Sequence, residues 1–140
     1  YVDVGRDEGA RITVGGGRPD IDKGWFVEPT VFADVTNDMR IAREEIFGPV
    51  LTVIPYDGVD DAVTIANDSD YGLSGSVWGA DADEAAAVGR RIRTGTMNIN
   101  TFMMDMCSPF GGFKASGLGR ELGPEGLEAY LLSQTIAHAG

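Results

Sequence analysis

Between Val50 and Asn100 the chain alternates between short apolar runs and amphipathic stretches, and no other feature restricts its fold as much. Val50-Leu51-Thr52-Val53-Ile54-Pro55-Tyr56 is rich in the β-branched residues that suit a buried strand, with Pro55 near its end. Residues 58–67 place Val59, Ala62, Val63 and Ala66 at three-to-four spacing, which predicts an amphipathic helix. Gly75 to Trp78 reads as a second strand. Residues 82–93 read as a second helix, N-capped by Asp81, acidic at its start and ending in Arg90, Arg91 and Arg93, an order that suits the helix dipole. Thr96 to Asn100 is a third strand. Parallel strands need a crossover between them, and a helix of this length supplies one. The pattern predicts an α/β fold, a parallel-type sheet with flanking helices.

The flanking sequence is less periodic. Residues 1–9 read as the end of a helix stopped at Gly9, and Arg11-Ile12-Thr13-Val14 as a short strand entering the Gly15-Gly16-Gly17 turn. Trp25 to Phe32 is a β-like run interrupted by Pro29, and residues 38–44 predict a short helix with Asn37 or Asp38 as N-cap. After Asn100 the period is lost. Residues 101–119 are rich in Met, Phe, Gly and Ser and predict a long ordered loop, a feature that is usually functional within a compact domain. Pro124 to Leu132 predicts a helix opened by proline, and Ser133 to Ala137 a last strand.

A length of 140 residues suits one domain or a piece of a larger protein, and is enough to bury a core. The net charge of -11 argues against a nucleic-acid or anionic-membrane partner, since both need a basic face. No apolar run has the length of a membrane span. Apart from Lys23 and Lys114 the basic residues are all Arg, which, with abundant Ala, Gly, Val and Asp, fits a GC-rich bacterial genome. The chain opens Tyr1-Val2-Asp3 without Met, so its natural N-terminus is expected upstream.

Most catalytic constellations fail on inspection. Gly117-Leu118-Gly119-Arg120-Glu121-Leu122-Gly123 misses the last glycine of a dinucleotide fingerprint by one position and follows a loop where that motif needs a strand. One His and one Cys cannot assemble a transition-metal site, so no metal is expected. Cys107 can be read as a nucleophile or as a small apolar lining residue. Its neighbours Met103, Met104 and Met106 favour the lining role, because a reactive thiolate needs an electropositive setting.

Two runs remain. Arg43-Glu44-Glu45-Ile46-Phe47-Gly48-Pro49-Val50 sets carboxylates and an aromatic ring beside a rigid turn at the lip of a strand, poor packing material but a good grip on a ligand with polar and flat parts. The alternative for Glu45 is a solvated charge paired with Arg43. The second run is Ser108-Pro109-Phe110-Gly111-Gly112-Phe113-Lys114-Ala115-Ser116-Gly117-Leu118-Gly119-Arg120-Glu121.

With Trp25-Phe26-Val27-Glu28-Pro29-Thr30-Val31-Phe32, Asn67 through Tyr71-Gly72-Leu73, and Gly95-Thr96 with Asn98 and Asn100, these runs resemble the aldehyde dehydrogenase superfamily in order and spacing over nearly the whole chain. The resemblance implies the C-terminal quarter to third of such an enzyme, and a partial three-layer α/β/α catalytic domain. Residues 1–96 would be the C-terminal portion of that domain. Residues 97–140 would be the substrate-tunnel loop and the return segment toward the nucleotide-binding domain and oligomerisation strand.

The implied activity is NAD(P)-dependent oxidation of an aldehyde to a carboxylic acid through a cysteine thiohemiacetal and thioester, with NAD or NADP as cofactor. The nucleophile, general base and nucleotide-binding domain would all precede this region. No catalytic residue is therefore assigned here, and the isolated chain is expected to be inactive. Glu45 resembles the cofactor-ribose ligand, and Phe47 the ring near the nicotinamide ribose. Glu44 is expected to make a structural contact. Phe110 resembles an aromatic wall of the substrate site, and Thr101 to Cys107 the aldehyde tunnel. Its methionines suit a hydrophobic aldehyde, with core filler as the alternative. The Gly-rich run from Gly111 to Gly119 is expected to serve close backbone packing. Expected partners are the aldehyde, the N-terminal part of the same enzyme and further copies in a homo-oligomer, in the cytoplasm, with no nucleic acid and no membrane. The alternative is a catalytically inactive stand-alone binding or assembly module.

Overall fold

The ring of Phe32, fully buried, organises the first of two units into which the computed structural model, describing residues 1–140, divides. The units are Tyr1–Asp68 and Ser69–Gly140. In chain order the first holds α1 (Val2–Asp7), β1 (Arg11–Val14), β2 (Thr30–Ala33), α2 (Arg40–Arg43), β3 (Val50–Thr52) and α3 (Gly58–Asn67). Its sheet runs β1-β2-β3. β1 pairs antiparallel with β2, Ile12 opposite Phe32, and β2 pairs parallel with β3, Thr30 opposite Val50 and Phe32 opposite Thr52. Phe32, Val35, Ile41 and Ala10 form the core, with Ile12, Ile46, Val50 and Ile54 packed against it. α1 lies directly on the Phe32 ring because position 5 has no side chain: a Cβ on Gly5 would stand 2.7 Å from the ring's Cζ.

Several local expectations change in this unit. The run from Trp25 becomes strand only at Thr30, whose N–H donates to the Pro49 carbonyl at 2.8 Å; Pro29, just before it, has no N–H to offer a ladder. The N-cap of α2 is Met39, not Asn37 or Asp38, and it gives no side-chain cap. Glu8, from beyond the end of α1, supplies the missing acceptor: its Oε1 accepts from Arg40 N at 2.9 Å. Asp38 is occupied by the Thr36 hydroxyl and Asn37 by Asp68. α3 forms over the predicted residues, but of its apolar face only Val63 is buried, while Val59 and Ala66 are exposed.

The second unit contains β4 (Tyr71–Gly72), β5 (Ser74–Val77), α4 (Ala82–Gly89), β6 (Thr96–Ile99), β7 (Phe113–Lys114) and α5 (Gly123–Glu128). β5, α4 and β6 make the expected parallel crossover, with Ser74 opposite Thr96 and Ser76 opposite Asn98. Asp81 caps α4 as predicted, accepting from Asp83 N at 2.8 Å and Glu84 N at 3.1 Å. α4 stops at Gly89, so Arg90, Arg91 and Arg93 lie beyond it. β4 pairs antiparallel with β7, a contact between segments far apart in sequence.

The Gly-rich run packs backbone against backbone. A Cβ on Gly95 would collide with the Gly111 carbonyl oxygen. Arg120 ties the run down, its Nη1 donating to the carbonyls of Gly112 at 3.0 Å and Gly119 at 2.8 Å while the guanidinium lies over the Phe113 ring. α5 carries Pro124 in its first turn but ends at Glu128. Ser133 to Ala137, predicted as a strand, has no regular structure and is exposed. A strand exists only where a neighbour completes its hydrogen bonds, and nothing in the chain pairs with this one. No helix is long and apolar enough to cross a membrane.

Candidate functional site

α2 ends at Arg43 and the chain turns extended at Glu44, with φ -104° and ψ 146°. From there successive side chains alternate in direction, as extended backbone requires. Glu44 turns to the protein. It accepts from Arg40 Nε and Nη2, both at 3.0 Å, and from the Tyr1 hydroxyl at 2.6 Å. The Arg40 guanidinium, and then the tyrosine hydroxyl, hold its carboxyl at a pKa of about 2, well below the ordinary 4.5. Glu45 is exposed, and its carboxylate has no hydrogen-bond or ion-pair partner in the structure. Ile46 packs against the core. Phe47 is 92% exposed.

A short turn explains that exposure. Gly48 N donates to the Ile46 carbonyl at 2.9 Å, closing a three-residue turn with Phe47 at its apex. Val50 N then donates to the Gly48 carbonyl at 2.8 Å as the chain enters β3. Sequence reasoning placed Glu45 and Phe47 on one ligand-facing segment, and the structure exposes both, Glu45 just before the turn and Phe47 at its apex, with Ile46 between them. The alternative pairing of Glu45 with Arg43 does not form: Arg43 Nη2 reaches the Asp68 carboxylate at 2.7 Å instead. A carboxylate with unused lone pairs can accept two hydrogen bonds from a vicinal diol, each strengthened by the charge. An exposed ring beside it offers an apolar face to a flat group.

The second unit holds a cavity of about 360 Å³. β5 and β6 supply Ser74, Thr96, Met97 and Asn98 to its wall. The following loop supplies Phe102, Met103, Met104 and Asp105, then Ser108 to Phe110. Phe110 and residues 102–105 of the stretch Thr101 to Cys107 thus line the same space. The Phe110 backbone is fixed by a bridge to Glu121, with N–H to carbonyl distances of 2.7 Å in both directions. Asp105 knits the loop together by accepting from the Ser108 hydroxyl and from Cys107 N, and the Ser108 contact, then the Cys107 one, lowers its pKa from the usual value.

Cys107 is exposed and lies outside the residues that line this cavity. The polar side chains of Ser74 and Asn98 were missed. Only the register of the β5–β6 pair brings them to one place, although the parallel pairing itself was predictable. No group of three or more His, Cys, Asp or Glu side chains is arranged to hold a metal ion.

Comparison with known proteins gives a consistent result. The chain is 62% identical over 130 residues to the geranial dehydrogenase of Castellaniella defragrans, a match covering 93% of this chain and 27% of that protein. A Mycobacterium tuberculosis aldehyde dehydrogenase solved with NAD+ superposes with a TM-score of 0.91 at 58% identity, covering 93% of this chain and 27% of that one. A mutant aldehyde dehydrogenase C from Pseudomonas syringae, solved with NAD+ and octanal, superposes with a TM-score of 0.89 at 49% identity, covering 92% of this chain and 27% of that one. The chain thus spans less than a third of the length of these relatives. The model of the aldehyde dehydrogenase family matches residues 1–136, and the chain belongs to that family.

Proposed function

We propose that this chain is part of an NAD(P)-dependent aldehyde dehydrogenase and supplies it with a cofactor-gripping turn and a wall of the aldehyde path. The observation that carries the reading is an unengaged carboxylate, Glu45, and the exposed ring of Phe47 on either side of the core-held Ile46. That donor and ring set fits a nicotinamide ribose: the carboxylate accepts from the two ribose hydroxyls and the ring packs on the sugar's apolar side. The bound cofactor supplies a hydride acceptor. Glu45 and Phe47 bind and orient it and take no part in bond making.

The cavity of the second unit lies within the range of about 300–1,000 Å³ common for small-molecule sites. Phe110, Phe102, Met103 and Met104 would hold an apolar aldehyde by burial, with Ser74, Thr96, Asn98, Asp105 and Ser108 as the polar part of the wall, Asp105 and Ser108 already engaged with each other. The names of the relatives, geranial dehydrogenase and an octanal complex, support an apolar substrate. In the whole enzyme residues 1–96 belong to the catalytic domain, and residues 97–140 line the substrate path and return toward the nucleotide-binding domain. The same reading has the enzyme working in the cytoplasm, where reducing conditions keep a nucleophilic cysteine free, and assembling as a homo-oligomer.

Glu45→Gln in the full-length enzyme tests the cofactor role. Replacing a charged acceptor with a neutral one costs a charge-assisted hydrogen bond about 1.5 kcal/mol, which raises the cofactor KM or lowers kcat about tenfold. Steady-state kinetics against varied cofactor read it. An unchanged KM and kcat would remove Glu45 from the role.

A further inference from the structure

We propose that Arg43 and Asp68 form a clamp that sets the position of the Glu45–Phe47 turn, making Arg43 a positioning residue for cofactor binding. The inference rests on the reading of Glu45 as a ribose ligand. Residues 44–49 form neither helix nor strand, and the two side chains offered to the ligand engage nothing that could hold them. Their position must be set from the residues on either side. Downstream, Ile46 is held by the core and Val50 by β3. Upstream, the last residue of α2 carries the load.

Arg43 Nη1 donates to the main-chain carbonyl of Asp68 and Nη2 to its carboxylate, both at 2.7 Å. Asn37 Nδ2 donates to the same carboxylate at 2.9 Å. Asp68 is itself fixed, since it is the C-cap of α3 and its N–H donates to the Thr64 carbonyl at 2.9 Å. The residue two before Glu45 is thereby pinned to the end of a ten-residue helix. The next residue, Glu44, is pinned separately to Arg40 and Tyr1. Two consecutive residues held by different elements leave the backbone little freedom to swing at Glu45.

Stability does not explain this arrangement. The side chains of Arg43 and Asp68 are 39% and 57% exposed, and ion pairs that open to water contribute little to folding. A planar guanidinium divided between a carbonyl and a carboxylate is instead a geometric device, because its donors are rigidly spaced.

The test uses the full-length enzyme with Arg43→Ala, Arg43→Lys, Glu45→Gln and the double variant R43A/E45Q. Cofactor KM, aldehyde KM, kcat and thermal midpoint are measured for each. R43A is expected to raise the cofactor KM roughly 3- to 10-fold with the aldehyde KM unchanged, and to have little further effect once Glu45 is already altered, as coupled residues behave. R43K, which keeps one of the two hydrogen bonds, is expected to recover part of the loss. If R43A does not fold, R43K and its double variant with E45Q carry the same comparison. An unchanged cofactor KM in the Arg43 variant, or effects of the Arg43 and Glu45 variants that simply multiply, overturns the clamp while leaving the ribose reading in place. An ineffective E45Q overturns the ribose reading and the clamp with it.

Discussion

Residues Tyr1–Asp68 gather Phe32, Val35, Ile41 and Ala10 into one buried cluster, whereas in Ser69–Gly140 the only buried residue other than glycine is Ala85. The second unit is held instead by backbone. Its strands pair closely, glycines pass carbonyl oxygens at contact distance, and Arg120 fastens the Gly-rich run through main-chain acceptors. Phe102, Met103, Met104 and Met106 are exposed there, as Trp25, Phe26 and Phe47 are in the first unit. On the function proposed above, the difference suits two ligand chemistries. A charged acceptor must be presented at a fixed place, which needs a packed support. An apolar molecule needs mainly yielding surface, and thioether side chains supply that without being locked in a core.

The largest effect expected from this contrast is that of Phe32→Ala. Emptying a fully buried ring site costs about 3–5 kcal/mol, read as a fall in the urea midpoint. A loss below about 1 kcal/mol would mean that the first unit is no better packed than the second. Phe110→Ala, a cavity-wall change in the second unit, is expected to shift stability by less than about 1 kcal/mol. In the full-length enzyme it should nonetheless raise the KM for octanal about tenfold relative to that for acetaldehyde, the scale of about 1.5 kcal/mol for losing one ring's contacts. Equal effects on both aldehydes would remove Phe110 from the apolar wall.

The smallest effect concerns Glu44. Its folded pKa, about 2, lies below the ordinary 4.5, so its contribution to stability is complete above pH 4.5 and is lost as pH falls through about 2. Glu44→Gln is expected to flatten the pH dependence of the thermal midpoint within that window, lowering the midpoint slightly above pH 4.5 and not at the acid end. A variant with the same acid profile as the parent would show that the Arg40 and Tyr1 contacts do not persist in solution.

Features set by neighbouring residues were legible in the sequence. The apolar period of residues 58–67 gave α3, Asp81 with the acids after it gave the start of α4, and alternation around Ile46 implied that Glu45 and Phe47 face the same way. What was not legible depends on residues distant in the chain. Glu8 caps α2 from another element, Asp68 receives Arg43 and Asn37, and β4 finds β7 across the intervening crossover. Asn37 and Asp38 are sound capping residues by type, but Asp68 and Thr36 engage them first. The cavity was half readable: its Phe and Met lining stood out by composition, while Ser74 and Asn98 required strand register.

The three-residue turn that lifts Phe47 into solvent also leaves a whole phenyl group open to water. Any molecule that docks flat on that ring releases the water around it. Such docking carries a calorimetric mark, a negative change in heat capacity that scales with the aromatic area covered.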